Sequence, residues 1–171
     1  MTTPSSKSPA PENTLENTHQ ENNAETTSSS DTKAPKTPSR RHSREIAFQF
    51  VYSRSQAASQ FDTEFDRSHF EAFCSSFNFL SDPYAWTLVN GVRNHLTTID
   101  AAISKVSSHW RLDRMPRVDL ALLRLGAFEV GFCKDLPRNV AINEAIEMAK
   151  KFGNQETPSF INGVLDRLEL Q

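Results

Sequence analysis

The residues with the clearest potential for chemistry are four basic side chains within five residues, Arg40, Arg41, His42 and Arg44, in a chain of 171 residues. We call this group the basic segment. It falls at the start of a predicted helix, where cations oppose the helix dipole and add nothing to helix stability. Because arginine neutralises phosphates and stacks on bases, two interpretations stay open at this point: a solvated helix end or a nucleic-acid contact.

The chain lacks the residue patterns that are typical of enzymes and metal sites. Its five histidines are scattered, with no HxxxH pair and none near either cysteine. The phosphate-binding patterns GxGxxG and GxxxxGK[ST] and the nucleophile pattern GxSxG are absent. Cys74 and Cys133 lie among apolar residues, which is typical of buried free thiols. We therefore expect no catalytic residues, no cofactor and no metal site.

Residues 1–38 differ in composition from the rest of the chain. They are rich in Ser, Thr, Pro, Asn and Glu, and Leu15 is their only large aliphatic residue after Met1. Such a segment buries too little apolar surface to offset the entropy lost on ordering, so we predict a disordered, low-complexity tail. Its three lysines and five carboxylates give it a net charge of −2, which leaves residues 39–171 with none. Binding to a polyanion must therefore depend on a local cluster.

Residues 39–171 have the apolar spacing of amphipathic helices and few glycines, which predicts one all-α domain. Short connections between the helices indicate a compact bundle of about seven. The pair Thr97-Thr98 is expected to divide one long apolar stripe into two helices. The predicted helices cover about residues 40–58, 63–78, 83–96, 98–106, 116–132, 138–152 and 157–168.

Two groups of charges within these helices have structural interpretations. Glu129 lies on the apolar stripe of helix 116–132, and an unpaired buried carboxylate is unfavourable, so we predict that Glu129 has a partner. Glu147 and Lys151 have the spacing of an ordinary surface ion pair along one helix.

The chain has no apolar run near the ~20 residues that are needed to span a bilayer. Its N-terminus also lacks the basic start and apolar stretch of a signal peptide. We expect a cytoplasmic protein that makes no contact with a membrane.

Several strings of this sequence resemble the signature of the NusB family. They are residues 44–52 (REIAFQFVY), 110–114 (WRLDR), 118–129 (VDLALLRLGAFE), 140–150 (VAINEAIEMAK) and 160–165 (FINGVL). The resemblance covers about residues 40–169 and is strongest from 110 to 168. It implies a helical bundle that acts in transcription antitermination and in ribosomal RNA transcription.

The resemblance also implies partners and site residues. The partners are boxA-like single-stranded RNA, a NusE-type small-subunit ribosomal protein and the RNA polymerase antitermination complex. The basic segment matches the family's RNA-binding arginines, and Gln49 lies beside it. The residues implied for RNA are Arg40, Arg41, Arg44, Gln49, Glu156 and Thr157, and those implied for the protein partner are Tyr52 and Asp119.

There are two alternatives to a free-standing RNA-binding factor. The same helical domain occurs fused to ribosomal RNA cytosine methyltransferases, but 171 residues leave no room for a cofactor-binding α/β domain, so we expect a free-standing factor. The second alternative is a helical adaptor that binds proteins without direct RNA contact, in which the arginines are only solvated charges.

Overall fold

The computed structural model describes residues 39–55, 61–107 and 110–170, and these residues form an all-helical domain. The α-helices are α1 (Arg40–Arg54), α2 (Arg67–Ser76), α3 (Pro83–Val106), α4 (Arg117–Phe132), α5 (Arg138–Phe152) and α6 (Thr157–Asp166), with a short 3₁₀ turn at Leu112–Arg114. A single antiparallel bridge, between Ser55 and Phe61, is the only β pairing in these ranges. The predicted all-α fold is confirmed. The predicted tail, residues 1–38, lies outside the described residues.

The expected number of about seven helices is wrong, because the described part of the chain has six. α3 continues through Thr97 and Thr98, whose side chains are exposed, while Ile99 is buried on the opposite face. The packing of the apolar stripe on both sides of the threonines outweighs their weak helix propensity. α1 is also shorter than the predicted 40–58. It ends at Arg54, because Ser55 adopts an extended conformation.

Local capping explains where three of the helices begin. The Ser39 hydroxyl accepts a hydrogen bond from the His42 N–H (3.2 Å), and the Asp82 carboxylate accepts one from the Ala85 N–H (2.9 Å). Pro83 follows Asp82 at the first helical position of α3, as the sequence predicted. At α2, Asp66 forms a capping box with His69. Each of these contacts joins residues three positions apart, so the local sequence is sufficient to place these helix starts.

The central element of the domain is α4, which is buried continuously from residue 119 to residue 129. It packs against α1, α3, α5 and α6. Gly91 of α3 allows a close approach to α4, because a Cβ atom at this position would overlap the Phe128 ring. The close packing places the neighbouring residue Glu129 between α1 and α3, where it can contact the basic segment.

Candidate nucleic-acid and partner interface

Arg44 of the basic segment points into the protein and pairs with Glu129 of α4. Its Nε lies 2.9 and 3.0 Å from the two carboxylate oxygens, and its Nη2 lies 2.8 Å from Oε1. The Tyr84 hydroxyl donates to the same Oε1 at 2.5 Å. The side chains of Arg44 and Glu129 are only 6% and 3% exposed. The predicted partner of Glu129 is thus an arginine that the resemblance implied for RNA binding.

Burial and the charges of this pair shift the pKa values of the groups around it. Burial alone would lower the pKa of Arg44, but the hydrogen bond and the charge of Glu129 outweigh it and raise that pKa. Burial and the hydrogen bond to Glu129 raise the pKa of Tyr84. Burial, with the negative charge of Glu129, raises the pKa of Cys133 to about 11. At neutral pH the Tyr84 hydroxyl therefore remains a donor, and the half-buried Cys133 thiol remains protonated.

The other two arginines of the basic segment point outward. Arg40 is exposed, and its guanidinium lies 5.2 Å from the centre of the Tyr84 ring. The Arg41 side chain is 56% exposed and donates to Glu144 Oε1 at 2.9 Å. The basic segment is therefore divided: Arg40 and Arg41 are available to a ligand, whereas Arg44 belongs to the interior. The structure therefore does not support Arg44 as a ligand contact.

Side chains of α1 and α5 meet along a line that we call the α1–α5 seam. Arg41 contacts Glu144 at one end, as described above. Further along, Glu45 Oε1 lies 2.6 Å from Lys151 Nζ, and the ring centres of Phe48 and Phe152 are 4.6 Å apart. The predicted pair of Glu147 with Lys151 is wrong: Glu147 pairs with Lys150 at 2.6 Å, because Lys151 reaches across to α1. No local pattern in the sequence indicates this contact between helices.

The far end of the seam carries Tyr52, whose side chain is partly exposed (36%). Its ring lies next to Phe48, with 6.1 Å between ring centres. On α4, the guanidinium of Arg117 lies 4.6 Å from the centre of the Tyr52 ring and donates to the Tyr52 carbonyl at 3.2 Å. Gln49 is half-buried, and its side chain donates to the Glu45 carbonyl at 3.3 Å. Arg117 holds the tyrosine in place, a role that the sequence analysis missed.

Two predicted site residues from distant segments contact each other. The Thr157 hydroxyl donates to Asp119 Oδ1 at 3.0 Å, and both residues are buried. Burial raises the pKa of Asp119, although the hydrogen bond from Thr157 acts in the opposite direction. The Asn154 side chain accepts from the backbone N–H groups of Glu156 (2.9 Å) and Thr157 (3.1 Å). Asp119 and Thr157 therefore fix the loop before α6. Of the three predicted site residues in this region, Glu156 is the one that is exposed.

A small cavity of about 160 Å³ lies beside this loop. It is lined by Trp110, Pro116, Asp119, Asn154, Glu156, Thr157 and Phe160. Trp110 is 53% exposed and contacts Phe160, with ring centres 6.1 Å apart. The sequence analysis named neither aromatic residue as a site residue. Their presence in a polar stretch was the available signal, but only the tertiary structure brings them together.

The described ranges contain no group of three or more His, Cys, Asp or Glu side chains that could hold a metal ion. Within the same ranges, none of the helices combines the length and the apolar character needed to cross a membrane.

The fold and the side chains described above define an all-helical protein with a candidate binding surface, in which the exposed cations of α1 and α5 and the partly exposed Tyr52 ring lie along one pair of helices. The chain belongs to the NusB family, whose family model matches residues 41–170.

Two proteins of this family show the extent of the similarity. The transcription antitermination protein NusB of Desulfosudis oleivorans is 44% identical over 136 residues, covering 76% of this chain and 84% of the relative. The protein of the same name from Geobacter sulfurreducens is 44% identical over 133 residues, covering 75% and 92%.

Solved structures show the same fold. NusB of T. maritima superposes with a TM-score of 0.58 at 31% identity, covering 77% of this chain and 90% of that protein. A chain from a crystal structure described as antitermination factors NusB and NusE in complex with dsRNA superposes with a TM-score of 0.60 at 26% identity, covering 74% and 92%.

Proposed function

We propose that this protein is a transcription antitermination factor that binds boxA-like single-stranded RNA together with a NusE-type small-subunit ribosomal protein. In this role it supports ribosomal RNA transcription as part of the RNA polymerase antitermination complex. It works in the cytoplasm by binding and not by catalysis. The family to which the chain belongs, and the similarity to a NusB chain crystallised with NusE and dsRNA, support this proposal.

The observation that carries the proposal is a chain of side-chain contacts that joins three segments distant in the sequence. Glu45 and Phe48 of α1 contact Lys151 and Phe152 of α5 across the α1–α5 seam. Arg117 connects Tyr52 to α4, and Asp119 connects α4 to the loop before α6. Cations at one end and exposed aromatic rings at the other match the needs of a single-stranded nucleic acid, which offers both phosphates and unstacked bases.

The RNA-binding part of the proposal is tested by fluorescence anisotropy with a labelled boxA-like RNA over a range of salt concentrations. Arg40→Ala combined with Arg41→Ala is expected to weaken binding. It should also reduce the slope of log affinity against log salt concentration by about one to two units, because each lost phosphate contact lowers that slope by about 0.7. Arg67→Ala is the matched control, because Arg67 also pairs with a carboxylate (Glu71) and lies over an aromatic ring (Trp86). Equal binding by all three proteins would contradict a role for the basic segment.

The partner part of the proposal is tested by co-purification with the ribosomal protein. Tyr52→Ala and Asp119→Lys are each expected to weaken the complex. Tyr52 lies on the predicted contact surface, and the buried Asp119 holds the loop before α6 through Thr157. Circular dichroism must show that each variant keeps its helical content, because Asp119 is buried. Full-strength complexes from both folded variants would remove this surface from the proposal.

One observation favours the adaptor alternative. Arg41, Lys150 and Lys151 each pair with a carboxylate of the protein itself, so much of the local positive charge is already neutralised. A protein that binds the ribosomal partner normally, but shows no salt-dependent affinity for any RNA, would establish the adaptor function in place of RNA binding.

A further inference from the structure

The α1–α5 seam holds a strip of six charged side chains in which cations and carboxylates are paired. The cations, which we call the seam cations, are Arg41, Lys150 and Lys151. The carboxylates, which we call the seam carboxylates, are Glu45, Glu144 and Glu147. The pairs are Arg41 with Glu144 (2.9 Å), Lys150 with Glu147 (2.6 Å) and Lys151 with Glu45 (2.6 Å). The strip has no net charge, although it contains three cations within a few residues of the basic segment and the loop before α6.

The strip surrounds a shallow depression of about 290 Å³ between the two helices. Its floor is Met148, which is buried, and its walls carry Arg41, Lys150, Lys151, Glu45 and Glu147. The seam cations are 56%, 58% and 55% exposed, so a ligand in the depression can reach each of them. Because exposed ion pairs contribute little to folding, a ligand of higher negative charge can replace the carboxylates without unfolding the helices.

The stability of the protein does not account for the whole arrangement. Cations in the last turn of α5 interact favourably with the helix dipole, which is a sufficient reason for Lys150 and Lys151 to be basic. The dipole does not explain why Lys151 extends away from its own helix to Glu45 of α1. Glu144 also has a second partner, because Arg44 Nη1 lies 3.2 Å from it, so its position does not depend on Arg41.

The position of the lysines connects the two ends of the interface. Lys151 is followed directly by Phe152, which packs on Phe48 of the seam, and then by Gly153 and the loop that carries Glu156. Lys151 Nζ also lies 5.3 Å from the centre of the Phe152 ring. A single strand laid along α1 from Arg40 to Tyr52 therefore passes the depression, which Arg41 and Glu45 line.

We propose that Lys150 and Lys151 belong to the RNA-binding surface, where they take up backbone phosphates of the single strand, and that the seam carboxylates are internal counterions displaced by those phosphates. This inference rests on the proposed function and adds two contact residues and a restraint on affinity. In the free protein the carboxylates hold the cations in place. When RNA is bound, they remain nearby and repel it, so the surface binds RNA less tightly than its number of cations suggests.

The inference makes opposite predictions for the two kinds of seam residue. Lys150→Gln combined with Lys151→Gln is expected to weaken RNA binding. It should also reduce the slope of log affinity against log salt concentration by about 1.4, because each lost cation lowers that slope by about 0.7. Glu147→Gln is expected to tighten binding about threefold at low salt. This is the factor expected in water when one negative charge ~6 Å from an RNA phosphate is removed. That gain should disappear at 1 M salt, where the Debye length falls to about 3 Å.

The matched controls come from an exposed ion pair elsewhere in the chain. Lys105 and Glu169 are 3.2 Å apart, and both are more exposed than the seam pairs. Glu169→Gln removes one carboxylate, as Glu147→Gln does, and Lys105→Gln removes one cation where the seam variant removes two. Because neither residue belongs to the seam, each change is expected to alter RNA affinity much less, even per charge. Urea unfolding of every variant checks that the changes act on binding and not on folding.

The test uses the full chain and a single-stranded 20-nucleotide RNA that contains a boxA-like sequence. If the lysine variant binds with the affinity and salt dependence of the unchanged protein, while Arg40→Ala binds more weakly, the inference is wrong and the proposed function survives. If the unchanged protein does not bind the RNA, the proposed function fails and the inference fails with it. If the lysine variant keeps its RNA affinity but loses the ribosomal partner, the strip is a protein contact and the inference is also wrong.

Discussion

The guanidinium of Arg44 lies 2.9 Å from the carboxylate of Glu129, although the two residues are 85 positions apart in the chain. The pair joins α1 to α4 in the interior of the domain, and Tyr84 of α3 completes it through its hydroxyl. One contact thus connects three helices, and the direction of Arg44 divides the basic segment into one inward and two outward arginines.

Loss of either member of this pair is expected to destabilise the fold strongly. Arg44→Met leaves the Glu129 carboxylate buried with only the Tyr84 hydroxyl as a partner, which should lower the free energy of unfolding by about 3–5 kcal/mol. Glu129→Ala should cost less, because Arg44 keeps its contact with Glu144 at 3.2 Å. Urea unfolding monitored by circular dichroism measures this change. The double variant Arg44→Met with Glu129→Met should recover much of the loss, because no charge then remains unpaired. Arg41→Met, one turn away and exposed, should leave stability nearly unchanged, and an equal loss from Arg41→Met would contradict the division of the basic segment.

Asp119 is expected to make the protein less stable as the pH rises above about 4. Burial raises its pKa in the folded state above the unfolded value of about 3.9, so the folded protein binds the proton more tightly. Stability therefore falls as the pH rises from the unfolded pKa through the folded one. Asp119→Asn retains an oxygen that accepts from Thr157, and it should remove this pH dependence.

The measurement for Asp119 is the unfolding free energy between pH 4 and pH 7 for the unchanged protein and the variant. Asp166→Asn is the control, because Asp166 lies exposed on α6. A variant that loses stability more steeply than the unchanged protein over this interval would show that the Asp119 charge is stabilising, opposite to this prediction.

Two helical glycines are expected to respond in opposite directions to alanine. A Cβ atom at Gly91 would overlap the ring of Phe128, so Gly91→Ala should cost about 1–3 kcal/mol or more through overpacking. A Cβ atom at Gly163 of α6 would meet nothing within 4 Å, so Gly163→Ala should stabilise the protein by about 0.5–1 kcal/mol through helix propensity. Thermal unfolding of the two variants provides the comparison. Equal effects would show that the close contact of α3 and α4 relaxes freely.

Residues 1–38 are expected to be dispensable for folding, because their composition offers almost no apolar surface to a core. A chain that starts at Ser39 should melt within about 2 °C of the full chain, which corresponds to a change of well under 1 kcal/mol. Differential scanning calorimetry of both chains measures the shift. A substantially lower melting temperature for the shorter chain would show that residues 1–38 stabilise the domain.

Local signals in the sequence determined most of the secondary structure. The apolar period fixed the all-helical class, and cap residues such as Asp82 with Pro83 fixed a helix start, because both act within a few residues of the chain. The same local signals failed at Thr97 and Thr98. Their weak helix propensity suggested a break, whereas burial of the stripe on both sides keeps α3 continuous, and that burial is a property of the assembled bundle.

The candidate site shows the same division between local and tertiary information. The apolar period alone predicts that Glu129 needs a partner, because it places the carboxylate among buried residues. That the partner is Arg44, that Lys151 reaches Glu45 and that Asp119 contacts Thr157 depends on how the helices pack. Hydrogen bonds and charge pairs act over a few ångströms in space, and the distance between two side chains on different helices is set by how the whole core packs, which no local pattern encodes.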